Sequence, residues 1–199
     1  MKKRTLRFKL IAGGCLIVLV PLVILGMLIG LKASNALEEE AGKQMLNLAQ
    51  ANAQMVEMTL SSETQAAAQI AAGPDIAANV SGAVQNGLAD GDVAALGAVL
   101  DAIRERRGAD YDALVITDKD GQVIADSQNG AYKGTALGNS YGFHDAAAGK
   151  PVIGEAFQAK GSGKPVLSIM APVKTSVGET LGVLTVYLSL DRLNRAMTS

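Results

Sequence analysis

The sequence predicts an α+β fold, in which an N-terminal membrane helix and a long helix precede five antiparallel strands with helices against one side of the sheet. Three observations carry this reading. An uncharged apolar run of 22 residues, Leu10 to Leu31, stands near the start. A second stretch, with no Pro and only Gly42 up to Ala72, repeats small and apolar residues at steps of three and four. From Asp112 onward the period drops to two, and Asp-Gly and Gly-Lys-Pro strings punctuate short apolar runs.

As a helix the run at 10–31 reaches roughly 33 Å at about 1.5 Å per residue, enough to cross a hydrocarbon core of about 30 Å. Pro21 and the glycines are compatible with a lipid-embedded helix. The tail at 1–9 carries Lys2, Lys3, Arg4, Arg7 and Lys9, which places it in the cytoplasm and the chain after Lys32 outside the inner membrane. A cleaved signal peptide ending at Ala36 competes with this, but the apolar run exceeds the roughly 7–15 residues of a signal sequence. Cys15 lies near the start of the run, whereas a lipidated cysteine would follow it.

At 199 residues the chain is too short for two sizeable domains and long enough for one core of about 150 residues. The balance of 18 basic against 19 acidic residues becomes 13 against 19 once the basic tail is set aside, leaving a net charge of −6. An acidic body with 4% aromatic residues does not suit nucleic acid, which calls for clustered Lys and Arg. One Cys and one His, Cys15 and His144, exclude a disulfide framework, a thiolate-built zinc site and two-histidine relays. No nucleophile–base pair can be assembled by motif, so no enzyme activity, metal or cofactor is expected.

The long helix is placed at 33–72. One of its stripes runs through Ala41, Met45, Leu48, Asn52, Met55, Thr59, Ser62 and Ala66. The other runs through Leu46, Ala49, Ala53, Val56, Leu60, Ala67 and Ile70 and is interrupted by Glu63. A face this wide serves two neighbours, its own domain and a second copy, so a homodimer through residues 36–70 is expected; a single core-facing stripe is the plainer alternative. Gly73-Pro74-Asp75 then reads as stop, turn and new cap, with helices at roughly 75–87 and 91–107. Asp90 or Asp92 is read as the cap of the second, and Arg104, Arg106 and Arg107 suit its C-terminal end.

DALVITD and QVIADS flank a Lys-Asp-Gly turn and read as a hairpin. Asp118-x-Asp120-Gly121 opens like a calcium loop, but Asn129 occupies the place of the bidentate Glu, so a turn is preferred. Residues 127–142 form a Gly-, Asn- and Ser-rich loop of the length that usually carries function. A helical piece at 142–148 and a strand at 152–159 follow, then KPVLSIMAPVKT and LGVLTVYLSL. Gly161-Ser162-Gly163-Lys164 is followed by Pro165, so it is a hairpin turn and not a phosphate loop.

Strand alternation divides the sheet into two faces. Leu184, Val186, Leu188 and Leu190 suit burial against the long helix, with Leu167, Ile169, Ala171, Leu114 and Ile116 beside them. The opposite face collects Val183, Thr185, Tyr187, Ser189, Val166, Ser168, Met170, Ala113, Val115 and Thr117. Such a mixture of small, hydroxyl and aromatic groups suits either a ligand cavity or a hydrated sheet face.

Residues 112–191 resemble the Cache family, the PAS-like extracytoplasmic sensor modules of bacterial chemoreceptors and sensor kinases. The resemblance rests on YDALVITDKDGQVIADS, GFHDAAAGKPVIGEAFQAKGSGKPVLSIMAPVK and GETLGVLTVYLSLDRL, which follow one another in the family's order and spacing. The membrane helix followed by a long helix is similar to the front end of methyl-accepting chemotaxis proteins. The resemblance implies a single PAS-like Cache unit at 73–191, followed by the start of an exit helix at 192–199. It also implies a pocket lined by Val115, Thr117, Ser140, Tyr141, Phe143, His144, Phe157, Ser168, Met170, Thr185 and Tyr187.

Amino-acid-binding relatives place an Arg before the aromatic pair of the pocket loop and an Asp on the last strand. Here those positions are Ser140 and Tyr187. A pocket lacking both charges does not neutralise a zwitterion, and one buried charge left unpaired costs several kcal/mol. The expected ligand is therefore a small molecule other than an α-amino acid. A weak acid, a small neutral molecule and no direct ligand all stay open. Lys160 or His144 could pair with a carboxylate, although a solvated Lys and a partly exposed His are the plainer readings. Family members continue past the last strand into a second membrane helix and a signalling region. This chain ends at Ser199, eight residues after Asp191, and is read as part of a longer receptor. The expected function is the sensor region of a transmembrane chemoreceptor. A histidine kinase or nucleotide cyclase output, and a dimerising membrane adaptor without ligand, are the alternatives.

Overall fold

Five strands pair into one antiparallel sheet in the order β2-β1-β5-β4-β3, with β1 at Tyr111–Thr117, β2 at Val123–Asp126, β3 at Val152–Gln158, β4 at Pro165–Lys174 and β5 at Thr180–Ser189. The computed structural model describes residues 42–198, together with Met27 and Glu40. The predicted basic tail and, Met27 apart, the predicted membrane helix lie outside the described residues. Among the described residues no helix is long and apolar enough to cross a membrane.

The chain divides into two compact units, Met1–Asn52 and Ala53–Ser199. In the first, residues 42–52 are helical and expose Met45, Leu46 and Leu48. The second holds helix α1 (53–71), α2 (Pro74–Gln85), α3 (Asp90–Arg107), a 3₁₀ turn (Gly108–Asp110), the sheet, α4 (Phe143–Ala147) and α5 (Leu190–Thr198). Pro74 opens α2 behind Gly73, where its missing N–H costs no hydrogen bond. Asp90 and Asp92 both lie inside the first turn of α3 behind Ala89, which makes no side-chain cap bond. They act on the helix dipole and not as the cap expected from sequence.

The period-two division is realised. Leu114, Ile116, Ile169, Ala171, Leu184, Val186 and Leu188 are buried with Ala67, Ala71, Ile76, Val80, Leu96 and Leu100 from α1, α2 and α3. Each fully buried leucine there contributes about 1.5–3 kcal/mol relative to exposure. The opposite face buries Ala113, Val115, Val166, Met170, Val183 and Tyr187 under the loop after β2 and under α4. Central β5 contacts β1 and β4 along nearly its whole length, with Val186 opposite both Leu114 and Ile169.

Glu63, which breaks the apolar stripe in the sequence, is only 6% exposed. The Tyr111 hydroxyl donates to its Oε2 at 2.8 Å, and Arg192 Nη2 lies 3.6 Å from its Oε1. Arg192 Nε also pairs with Asp110 Oδ2 at 3.3 Å, and Arg195 bonds the other oxygen of Asp110. One carboxylate on α1 thus ties the start of β1 to the start of α5.

Candidate functional site

The site is built on the sheet face away from α1–α3 by the loop at 127–142. Asp126, the last residue of β2, is 4% exposed and turns this loop back on itself. Its Oδ1 accepts the N–H groups of Gln128 at 2.8 Å and Gly130 at 3.0 Å, and its Oδ2 accepts that of Tyr132 at 3.0 Å. The returning segment is bonded to the hairpin turn, Leu137 N–H to Gly121 C=O at 2.7 Å and Val123 N–H to Thr135 C=O at 3.2 Å. Gly121 is required there: its φ is +84°, and a Cβ would stand 2.2 Å from the Gly138 nitrogen. The carboxylate of Asp118 is committed to the same turn, where Oδ1 accepts from the N–H groups of Asp120 and Gln122.

Between loop and sheet lies a cavity of about 340 Å³, partly open to solvent. Five sequence-predicted residues line it: Ser140, Phe157, Ser168, Met170 and Tyr187. Their strands bring them together, because Ser168 stands opposite Tyr187 and Met170 opposite Thr185 across the β4–β5 ladder. Tyr187 is flanked by Tyr132 at 5.3 Å and by Phe157, edge-on, at 5.0 Å between ring centroids. The Ser168 hydroxyl donates to the Glu155 carbonyl at 3.1 Å. Lys160 Nζ donates to Thr135 Oγ1 at 3.1 Å, joining the turn after β3 to the loop.

A Cache domain family model matches residues 33–199. The chain belongs to the Cache family. Among solved structures, the sensor domain of the Vibrio cholerae histidine kinase DctB is 17% identical, with a TM-score of 0.63 over 79% of this chain and 59% of that one. This chain thus spans about three fifths of that domain. The Escherichia coli DcuS sensor domain is 19% identical, with a TM-score of 0.54 over 73% of this chain and 99% of that one. The ligand-binding domain of the Campylobacter jejuni chemoreceptor Tlp3 in complex with L-valine is 17% identical, with a TM-score of 0.58 over 83% of this chain and 66% of that one. Comparison with curated proteins gives no match. Cache domains are extracytoplasmic sensor modules that bind small ligands.

The other predicted residues of this Cache domain fall outside the cavity lining. Val115 and Thr185 are fully buried on the correct sheet face, and the Thr117 hydroxyl points to the Val183 carbonyl at 3.4 Å. Gly142 takes a left-handed φ of +85° just before α4, which turns Phe143 into the core while Tyr141 stays 70% exposed. His144 is exposed as well. Sequence reasoning passed over Tyr132, Thr135 and Leu137, all of which line the cavity; Lys160, read from sequence only as a cation able to pair with a carboxylate, lines it too. The signal available for Tyr132 was the Asp-Ser-Gln-Asn-Gly string before it, an Asx-turn signature that folds the chain back.

Desolvation raises the hydroxyl pKa of Tyr187 and Tyr132 above the usual 10.0, with the Asp112 carboxylate adding to the effect at Tyr132. Tyr111 is raised by burial and then by its bond to Glu63. All three remain proton donors at neutral pH. A folded-state pKa above the unfolded value gives stability that is complete below about 10 and lost as pH rises beyond it. The urea midpoint of the Cache domain is therefore expected to hold steady from pH 7 to 9 and to fall above about 10. A Tyr187→Phe variant should show a shallower fall, and an unchanged alkaline slope would count against a buried Tyr187 hydroxyl.

Proposed function

We propose that this chain is the ligand-sensing region of a transmembrane chemoreceptor and that the 340 Å³ cavity receives a small molecule other than an α-amino acid. The observation that carries this reading is the cavity itself, formed between sheet and loop and walled by the sheet face that alternation singled out. Ser140 and Tyr187, which stand where amino-acid-binding relatives have Arg and Asp, both line it. Neither supplies the charge that an ammonium or carboxylate group would need. The basic tail and the apolar run at 10–31 support anchoring in the inner membrane with the sensor outside. The exposed Met55 and Met58 of α1 support a homodimer through residues 36–70. The sensor fold also occurs in the DctB histidine kinase, so a kinase output is the second reading.

Calorimetric titration of the detergent-solubilised chain with the common amino acids tests the ligand reading. No micromolar binding is expected, and micromolar binding by any of them overturns it. Met170→Trp, which fills the cavity, serves as the control that binding by any other compound occurs there.

A further inference from the structure

Resting on the cavity as the binding site, we propose that its ligand is a monocarboxylate with an uncharged, apolar body, the carboxylate being held between Lys160 and the hydroxyl of Tyr132. The polar groups of the cavity are unevenly distributed. Tyr132 is 1% exposed and lines the cavity, and its hydroxyl has no hydrogen-bond partner. The backbone N–H groups of Lys160 and Gly161 face its oxygen without closing a hydrogen bond. The hydroxyl proton is therefore left to be given to an acceptor that enters the cavity.

Lys160, whose backbone N–H faces the Tyr132 oxygen, is also the one cation of the lining. Lys160 Nζ spends one of its three N–H bonds on Thr135 Oγ1, which holds the ammonium at the loop's edge. A neutral acceptor would satisfy the tyrosine alone; a carboxylate takes both donors, and a charge-assisted bond to each is about twice as strong as a neutral one. A second negative charge finds no second cation among the lining residues. The one acidic lining residue, Glu155, lies on edge strand β3 with an exposed side chain. Lys160 is exposed as well, but its ammonium is fixed by the bond to Thr135 Oγ1. Among the described residues no side-chain hydrogen bond fixes the Glu155 carboxylate, so an ammonium group finds no preorganised partner. The remaining wall is Leu137, Phe157, Met170 and the ring of Tyr187, an apolar surface suited to an alkyl or aryl body.

Calorimetric titration of the full chain in detergent with isovalerate, benzoate and phenylacetate, against benzamide, benzylamine and succinate, tests the proposal. At least one monocarboxylate is expected to bind at least tenfold more tightly than benzamide and succinate. Lys160→Met should weaken it about tenfold and Tyr132→Phe about fivefold, while any binding of benzamide is unchanged by Lys160→Met. Benzamide, benzylamine or succinate binding as tightly as the acids, with binding lost in Met170→Trp, overturns the carboxylate proposal and leaves the cavity reading standing. Carboxylate binding indifferent to both Lys160→Met and Tyr132→Phe overturns it as well. If no compound of any class binds a chain that still melts cooperatively, both fall together.

Discussion

Replacing Asp126 by alanine is expected to lower the unfolding free energy by about 3 kcal/mol and to abolish ligand binding at the cavity. The carboxylate accepts three backbone N–H groups, and that of Tyr132 is buried and has no water to turn to. Hydrogen bonds to a charged acceptor contribute about 1.5–3 kcal/mol each, and three from one group do not simply add. For a chain of this size about 3 kcal/mol corresponds to a fall in Tm of roughly 6–12 °C. Asp126→Asn discriminates the cause. Its amide oxygen can keep the bonds to Gln128 and Gly130, whereas its NH₂ meets the N–H of Tyr132, so about half the loss should remain. Differential scanning calorimetry reads both variants. An Asp126→Ala protein that melts within a degree or two of the parent would mean that the loop is held by something other than this carboxylate.

The second large effect is expected at Glu63. Glu63→Ala leaves the Tyr111 hydroxyl buried without a partner and opens a void between α1 and β1, for a combined cost of about 3 kcal/mol. Arg192 retains Asp110 and is partly exposed, so the charge it leaves behind adds little. Glu63→Gln keeps an acceptor for Tyr111 and gives up only the attraction to Arg192 across 3.6 Å, and should lose well under half as much. In a double-mutant cycle with Tyr111→Phe, measured by urea denaturation, the coupling is expected between about 0.5 and 3 kcal/mol. Strict additivity of the two single variants would show that the hydrogen bond contributes nothing beyond its parts.

Both residues show where sequence reading stops. Alternation in β4 and β5 assigns Ile169, Val186 and Leu188 to one face and Ser168, Met170 and Tyr187 to the other, because a strand offers each side chain two directions and one of them is apolar. Helices α2 and α3 are legible from Pro74 and from the acidic start and basic end of the second. Glu63 is not legible. In one dimension it is a defect in a stripe, and only the approach of Tyr111, 48 positions away, gives it a partner. Tyr132 is silent for the same reason, since its loop is folded by Asp126 and not by any periodicity. Lys160 is legible as a cation able to meet a carboxylate, but its bond to Thr135 is not. Tyr141 and Phe143 sit two apart with Gly142 between them, and a left-handed glycine sends such a pair to opposite sides, which spacing alone does not reveal.

Strand β5 ends at Ser189 and α5 begins at Leu190, with no residue between them. A linker of a few residues would absorb a small shift of the strand as torsion and pass nothing on. Here no linker intervenes: Tyr187 stands three residues before Leu190, the first residue of the helix. Arg192, two residues further on, is gripped by Glu63 and Asp110. The central strand and the last helix are thus continuous, and Arg192 ties their junction both to α1 and to the turn before β1.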